Sequence, residues 1–147
     1  MAAWRDIESD VPAFAAEVLA RFTAGANATL ATVRRDGAPR ISGTEVEFAQ
    51  GQVSLAMITG SVKLRDVQRD PRVALHSPTT DEAGSRPEDQ HGDAKLAGTV
   101  VLAHSRADGT VFRLDITEAA LTQLAGGQLV IESWHPGRKL LRRTRPI

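Results

Sequence analysis

Hydrophobic residues near the start of the chain recur at helical spacing. Val11, Phe14, Ala15, Val18, Leu19 and Phe22 fall on one stripe, with Glu17 and Arg21 opposite. The pattern predicts one amphipathic N-terminal helix within residues 1–25. Ser9 and Asp10 offer capping oxygens, Pro12 sits where a missing N–H does no harm, and Gly25 ends the element. From Ala28 onward the apolar pattern alternates instead. Ala28–Val33 and residues 40–48 flank Asp36-Gly37, a hairpin turn signal, and Pro39. In the second run Thr44, Val46 and Phe48 share one face, opposite Gly43, Glu45 and Glu47. Gln50-Gly51 turns the chain into Gln52–Ile58, where Val53, Leu55 and Met57 alternate. These runs predict a three-stranded meander.

Residues 60–69 predict a short helix, stopped at Asp70-Pro71 because the residue before proline avoids helical geometry. A strand follows at 72–77, then a long polar loop at 78–94, rich in Pro, Gly, Ser, Thr and acidic residues. Residues 95–103 are apolar on both faces toward their end, as in a central strand. Phe112, Leu114 and Ile116 alternate within 111–116, and Thr117 is placed to cap a short helix ending at Leu124. After Gly126-Gly127 a last strand at 129–134 precedes a basic C-terminal tail, 135–147. Six or seven short strands, few helices and no internal repeat predict a single mainly β domain over 1–147, an antiparallel barrel or sandwich. A closed barrel also removes exposed strand edges.

Composition narrows the chemistry. The chain has 147 residues with eighteen basic and eighteen acidic side chains, so no net charge draws it to nucleic acid or an anionic membrane. Four Phe and two Trp leave little for base stacking, which disfavours a nucleic-acid adaptor built on the basic tail. Cys is absent, which excludes disulfides, thiolate nucleophiles and Cys-based metal sites. Charges crowd the first ten residues and the longest apolar runs hold four residues, so a cytoplasmic protein without a membrane span is expected. The glycine-rich dinucleotide and phosphate-loop signatures are missing. The histidines at 76, 91, 104 and 135 have no metal-ligand spacing, so no metal is expected. No general acid is identified.

Two segments stand out. Gly60-Ser61-Val62-Lys63-Leu64-Arg65-Asp66 puts a hydroxyl and two cations where a strand hands over to a helix, a place that favours an anion such as a phosphate. The plainer reading is a solvated helix end with Lys63 pairing Asp66. Ser133-Trp134-His135-Pro136-Gly137-Arg138 puts a large aromatic at a strand end, followed by Lys139, Arg142, Arg143 and Arg145. This tail is either solvated or reaches an anion on a partner subunit.

With these two segments in order, the chain resembles the pyridoxamine 5′-phosphate oxidase-like, FMN-binding split-barrel family, whose members bind FMN or the deazaflavin coenzyme F-420. The resemblance runs from Ala28-Thr29-Leu30-Ala31-Thr32-Val33 and Asp36-Gly37-Ala38-Pro39-Arg40 to Lys63-Leu64-Arg65-Asp66-Val67 and Asp70-Pro71-Arg72-Val73-Ala74-Leu75. It closes at Ser133-Trp134-His135-Pro136-Gly137-Arg138. It implies a six-stranded antiparallel split barrel that forms a homodimer with cofactor sites at the interface. By that resemblance Gly60, Ser61, Lys63 and Arg65 hold the cofactor phosphate, and Ile41, Ser42, Gly43 and Thr44 run under the ring. Trp134 and Arg138 approach from the opposite subunit. The implied activity is FMN- or F-420-dependent hydride transfer involving a small conjugated or heteroaromatic substrate. The alternative on the same fold is a non-catalytic flavin, haem or tetrapyrrole binder, a carrier or sensor. The family's Arg-x-His near the end is replaced by Lys139-Leu140 after Arg138, so pyridoxamine phosphate oxidation itself is not implied.

Overall fold

The structure, a computed structural model, describes residues 1–79 and 92–147. Most of the predicted polar loop at 78–94 lies outside the described residues. The N-terminal region is two helices, α1 (Trp4–Asp10) and α2 (Pro12–Thr23), instead of one. Val11, between them, has φ −138° and caps α2 without any side-chain hydrogen bond. Pro12 explains the break, because its ring disfavours helical geometry at the residue before it.

Nine strands follow among the described residues: β1 (Ala28–Val33), β2 (Pro39–Thr44), β3 (Val46–Ala49), β4 (Gln52–Ile58), β5 (Arg72–His76), β6 (Asp93–Ser105), β7 (Gly109–Ala125), β8 (Gln128–Trp134) and β9 (Leu141–Pro146). One helix, α3 (Val62–Arg69), separates β4 from β5. Every pairing is antiparallel.

The sheet order β2-β1-β5-β6-β7-β4-β3 decides the architecture. β2 and β3 stand at opposite ends of this path, yet Glu45 alone joins them in sequence. The sheet must therefore curl until its two ends meet, and they meet without pairing. That is a barrel with one open seam. The predicted meander is corrected here: the 40–48 run is two strands that pair with different neighbours, β2 with β1 and β3 with β4.

Inward positions fill the interior. Leu30, Leu55, Met57, Leu75, Leu96, Leu114 and Ile116 are all under 3% exposed and belong to one core. Trp4 meets Phe48 edge-on, with ring centroids 4.9 Å apart, so α1 and α2 seal the barrel beside β3. Gly98 sits at a register shift in β6 where a Cβ would collide with the Asp115 carbonyl, so only glycine fits.

Two further expectations are corrected. Residues 117–124 continue β7 instead of forming a helix, because they pair with β6 on one side and β8 on the other. Thr117 donates to the Ala97 carbonyl at 3.2 Å and caps nothing. The basic tail contains a strand, β9, whose register on β8 runs from Ser133↔Leu141 to Gln128↔Pro146. With β8 and β9 added beyond the barrel path, the strand count exceeds the six expected. No described helix is long and apolar enough to cross a membrane.

Candidate functional site

β4 ends at Ile58, and Gly60 turns the chain with φ +81°, a conformation that glycine adopts at no steric cost. Ser61 then caps α3: its Oγ accepts from the Leu64 amide at 3.3 Å, and its own amide donates to the Ile58 carbonyl at 3.0 Å. The Val62 and Lys63 amides open the helix and have no intrahelical acceptor. Lys63 reaches sideways to β2, where Nζ donates to the Gly43 carbonyl at 2.9 Å. An ammonium has three donors, so two remain.

The space around this corner is open. A Cβ built on Gly43 or Gly60 would meet nothing within 4 Å. Ser42 Oγ is buried with no hydrogen-bond partner among the described residues. Hydroxyl, ammonium, two free amides and the positive end of α3 suit an anion, and a phosphate group fits this donor set.

The other predicted residues are less unified. Strand alternation turns Ile41, 73% exposed, and Gly43 outward, while Ser42 and Thr44 face the other way. Thr44 is buried and its hydroxyl donates to the Glu45 carbonyl at 3.3 Å. Arg65 is exposed, and its side chain makes no hydrogen bond or ion pair among the described residues. So Gly43, Gly60, Ser61 and Lys63 converge; Arg65 and Thr44 do not join them.

Trp134 is 3% exposed and packed in the core of its own subunit, where Nε1 donates to Asp10 Oδ2 at 2.8 Å. Asp10 thus holds an indole and does not cap α2. The edge of Trp134 borders a recess of about 550 Å³ together with Asp6, Arg138 and Lys139. Arg138 is exposed. Paired residues Gly43, Thr29, His76, Lys95, Ala120 and Ser133 form one row across the outer face. Five strand spacings separate the ends of that row around the curled sheet, so β2 and β8 do not pair within one protomer.

The same face carries an apolar recess of about 290 Å³, floored by Ala31, Ala74 and Ala97 and rimmed by Ile41, His76, Lys95 and Glu118. His76 Nδ1 lies 2.7 Å from the Ser77 carbonyl, and its Nε2 lies 3.4 Å from Asp93 Oδ2. Among the described residues, no group of His, Cys, Asp and Glu could hold a metal.

The plainer sequence reading, with Asp66 pairing Lys63, does not hold in the structure. Asp66 points inward, 2% exposed. It accepts from Thr32 Oγ1 at 2.8 Å, Arg40 Nε at 2.7 Å and Arg69 Nη2 at 3.1 Å. Burial pushes its carboxyl pKa up, but these three donors outweigh burial and hold it below the usual carboxylate value. Its position between Leu64 and Val67, the buried apolar residues of α3, was the available sequence signal.

No protein-family model matches the chain, and no curated protein matches it. Solved structures do. PhzG of Burkholderia lata, solved with tetrahydrophenazine-1-carboxylic acid, is 10% identical with a TM-score of 0.69, over 97% of this chain and 92% of that one. A pyridoxamine 5′-phosphate oxidase-related, FMN-binding protein from Nostoc punctiforme is 12% identical with a TM-score of 0.62, over 100% of this chain and 99% of that one. A haem-binding protein from Mycobacterium smegmatis is 18% identical with a TM-score of 0.62, over 82% of this chain and 57% of its own length. The chain has the split-barrel fold of the pyridoxamine 5′-phosphate oxidase-related proteins.

Proposed function

We propose that this protein is a cytoplasmic, homodimeric oxidoreductase that binds FMN, or the deazaflavin F-420, with the cofactor phosphate at the head of α3. One observation carries the reading. Lys63, bonded at 2.9 Å to the Gly43 carbonyl, holds a cation and the free amides of α3 beside an open stretch of β2. Gly60 and Ser61 shape the turn, and Lys63 supplies the charge. The exposed outer side of β2, Ile41 and Gly43, lies beneath the ring. Ser42 and Thr44 support that strand from behind. The cofactor supplies hydride chemistry, and the chain's own residues bind it, orient it and keep water from it.

The substrate is a small conjugated or heteroaromatic molecule. The apolar recess floored by Ala31, Ala74 and Ala97 offers a flat surface of suitable size on the same face as Gly43. Arg138 of a second copy completes the site, as the resemblance to the split-barrel family implies. The fold shared with an FMN-binding protein across nearly the full length of both chains supports this reading.

A second reading rests on the shared fold with a haem-binding protein: the chain holds a flavin, haem or other tetrapyrrole without turnover. Titration of the purified protein with FMN, F-420 and haem, followed by steady-state assay with reduced cofactor and heteroaromatic acceptors, decides between them. Binding of FMN or F-420 with turnover is the expected result. Binding of haem alone, or stoichiometric flavin binding without turnover, favours the second reading.

A further inference from the structure

α3 carries a buried carboxylate that binding an anion does not itself require. Asp66 Oδ2 takes Thr32 of β1 and Arg40 of β2, and Oδ1 takes Arg69 of α3. Arg69 Nη2 also donates to the Val33 carbonyl of β1 at 2.8 Å. One turn earlier on the helix, Lys63 is tied to Gly43 of β2. The helix is therefore fastened to β2 at two separate points, Gly43 and Arg40, about 10 Å apart along the strand. Two fixed points on one strand prevent α3 from sliding or pivoting against it.

Little else sets this position. Leu64 and Val67 are the only apolar side chains α3 buries, and two contacts of that kind are non-directional. Hydrogen bonds to a buried charge have fixed lengths and angles, and losing them leaves charge unpaired in the interior.

We infer that Asp66 is a positioning residue: by gripping Thr32 and Arg40 it fixes the head of α3 against β2, so that Ser61, Lys63 and the free amides converge on one anion. This rests on the cofactor reading above. Asp66 lies behind the anion site and touches no ligand itself. Its effect should therefore fall on the phosphate and spare the ring.

The experiment compares each cofactor with its phosphate-free counterpart, FMN with riboflavin and F-420 with its deazaflavin core. Dissociation constants are measured for the wild type, Asp66→Asn and Thr32→Val. Asp66→Asn should weaken the phosphate-bearing cofactor about ten-fold or more, with less than about two-fold change for the counterpart. Thr32→Val removes a single donor, keeps the charge pairs and the fold, and should give a smaller loss of the same selectivity. Equal losses for both members of a pair, or no loss for either, would show that Asp66 serves only stability and overturn the inference. A wild type that prefers neither phosphate-bearing cofactor over its counterpart overturns the cofactor reading itself, and this inference with it.

Discussion

The indole Nε1 of Trp134 donates to Asp10 Oδ2 at 2.8 Å, joining the last residue of β8 to the last residue of α1. The most conspicuous aromatic of the C-terminal half is thereby committed to its own subunit's core. Asp10→Ala leaves a largely buried N–H without an acceptor and should destabilise the fold by about 1–3 kcal/mol. Urea denaturation followed by Trp fluorescence measures this.

Lys63→Ala should weaken binding of FMN or F-420 about ten-fold or more, the worth of one charge-assisted hydrogen bond to phosphate. Lys95→Ala, at the rim of the apolar recess, and Lys139→Ala, in the C-terminal tail, each remove an exposed cation that is not at the head of α3 and should have smaller effects. Fluorescence titration of the three variants in parallel tests the assignment, and equal losses in all three would remove α3 as the anion site.

Acid should weaken the fold through Asp66. Its pKa is lower in the folded state than in the unfolded chain, so its stabilisation is complete above the ordinary carboxylate value of 3.8. That stabilisation is lost as pH falls through 3.8 toward the depressed folded value. Asp70, held down to about 2 by the hydrogen bonds of Arg72, acts in the same direction at a half-buried position. Urea midpoints measured from pH 7 to pH 3 should fall less steeply for Asp66→Asn than for wild type.

Assembly is testable by complementation. Lys63 opens α3 and Arg138 follows β8, a strand that does not pair with β2, so on the shared-site reading a two-fold dimer should build each site from both chains. Mixing Lys63→Ala subunits with Arg138→Ala subunits should restore one intact site per mixed dimer. Sedimentation should give a dimer. Monomeric protein that holds cofactor, or mixtures that bind no better than their parents, would refute a shared site.

Much of the barrel was legible in the chain because a half-buried strand has a period of two. Val53, Leu55 and Met57, and again Phe112, Leu114 and Ile116, alternate in the sequence and fill the interior. The cap at Ser61 was legible for a similar reason, since a hydroxyl ahead of a helix acts on its own next turn. Partners distant in sequence were not. Residues 117–124 include the good helix formers Glu118, Ala119, Ala120 and Leu121, yet strands on both sides claim their backbone groups. The tail 135–147 reads as solvated charge until β8 offers it an edge. Glu45 gives no local sign that the chain passes from one end of the sheet to the other, because closure is a property of the whole strand order. The same holds for Asp66. The sequence placed Lys63 three residues away from it, but helix geometry turned the carboxylate inward, where Arg40 on β2 supplies the charge that burial demands. Local spacing determined the alternating strands and the capped turn at Ser61; the closing of the sheet decided which charges meet behind it.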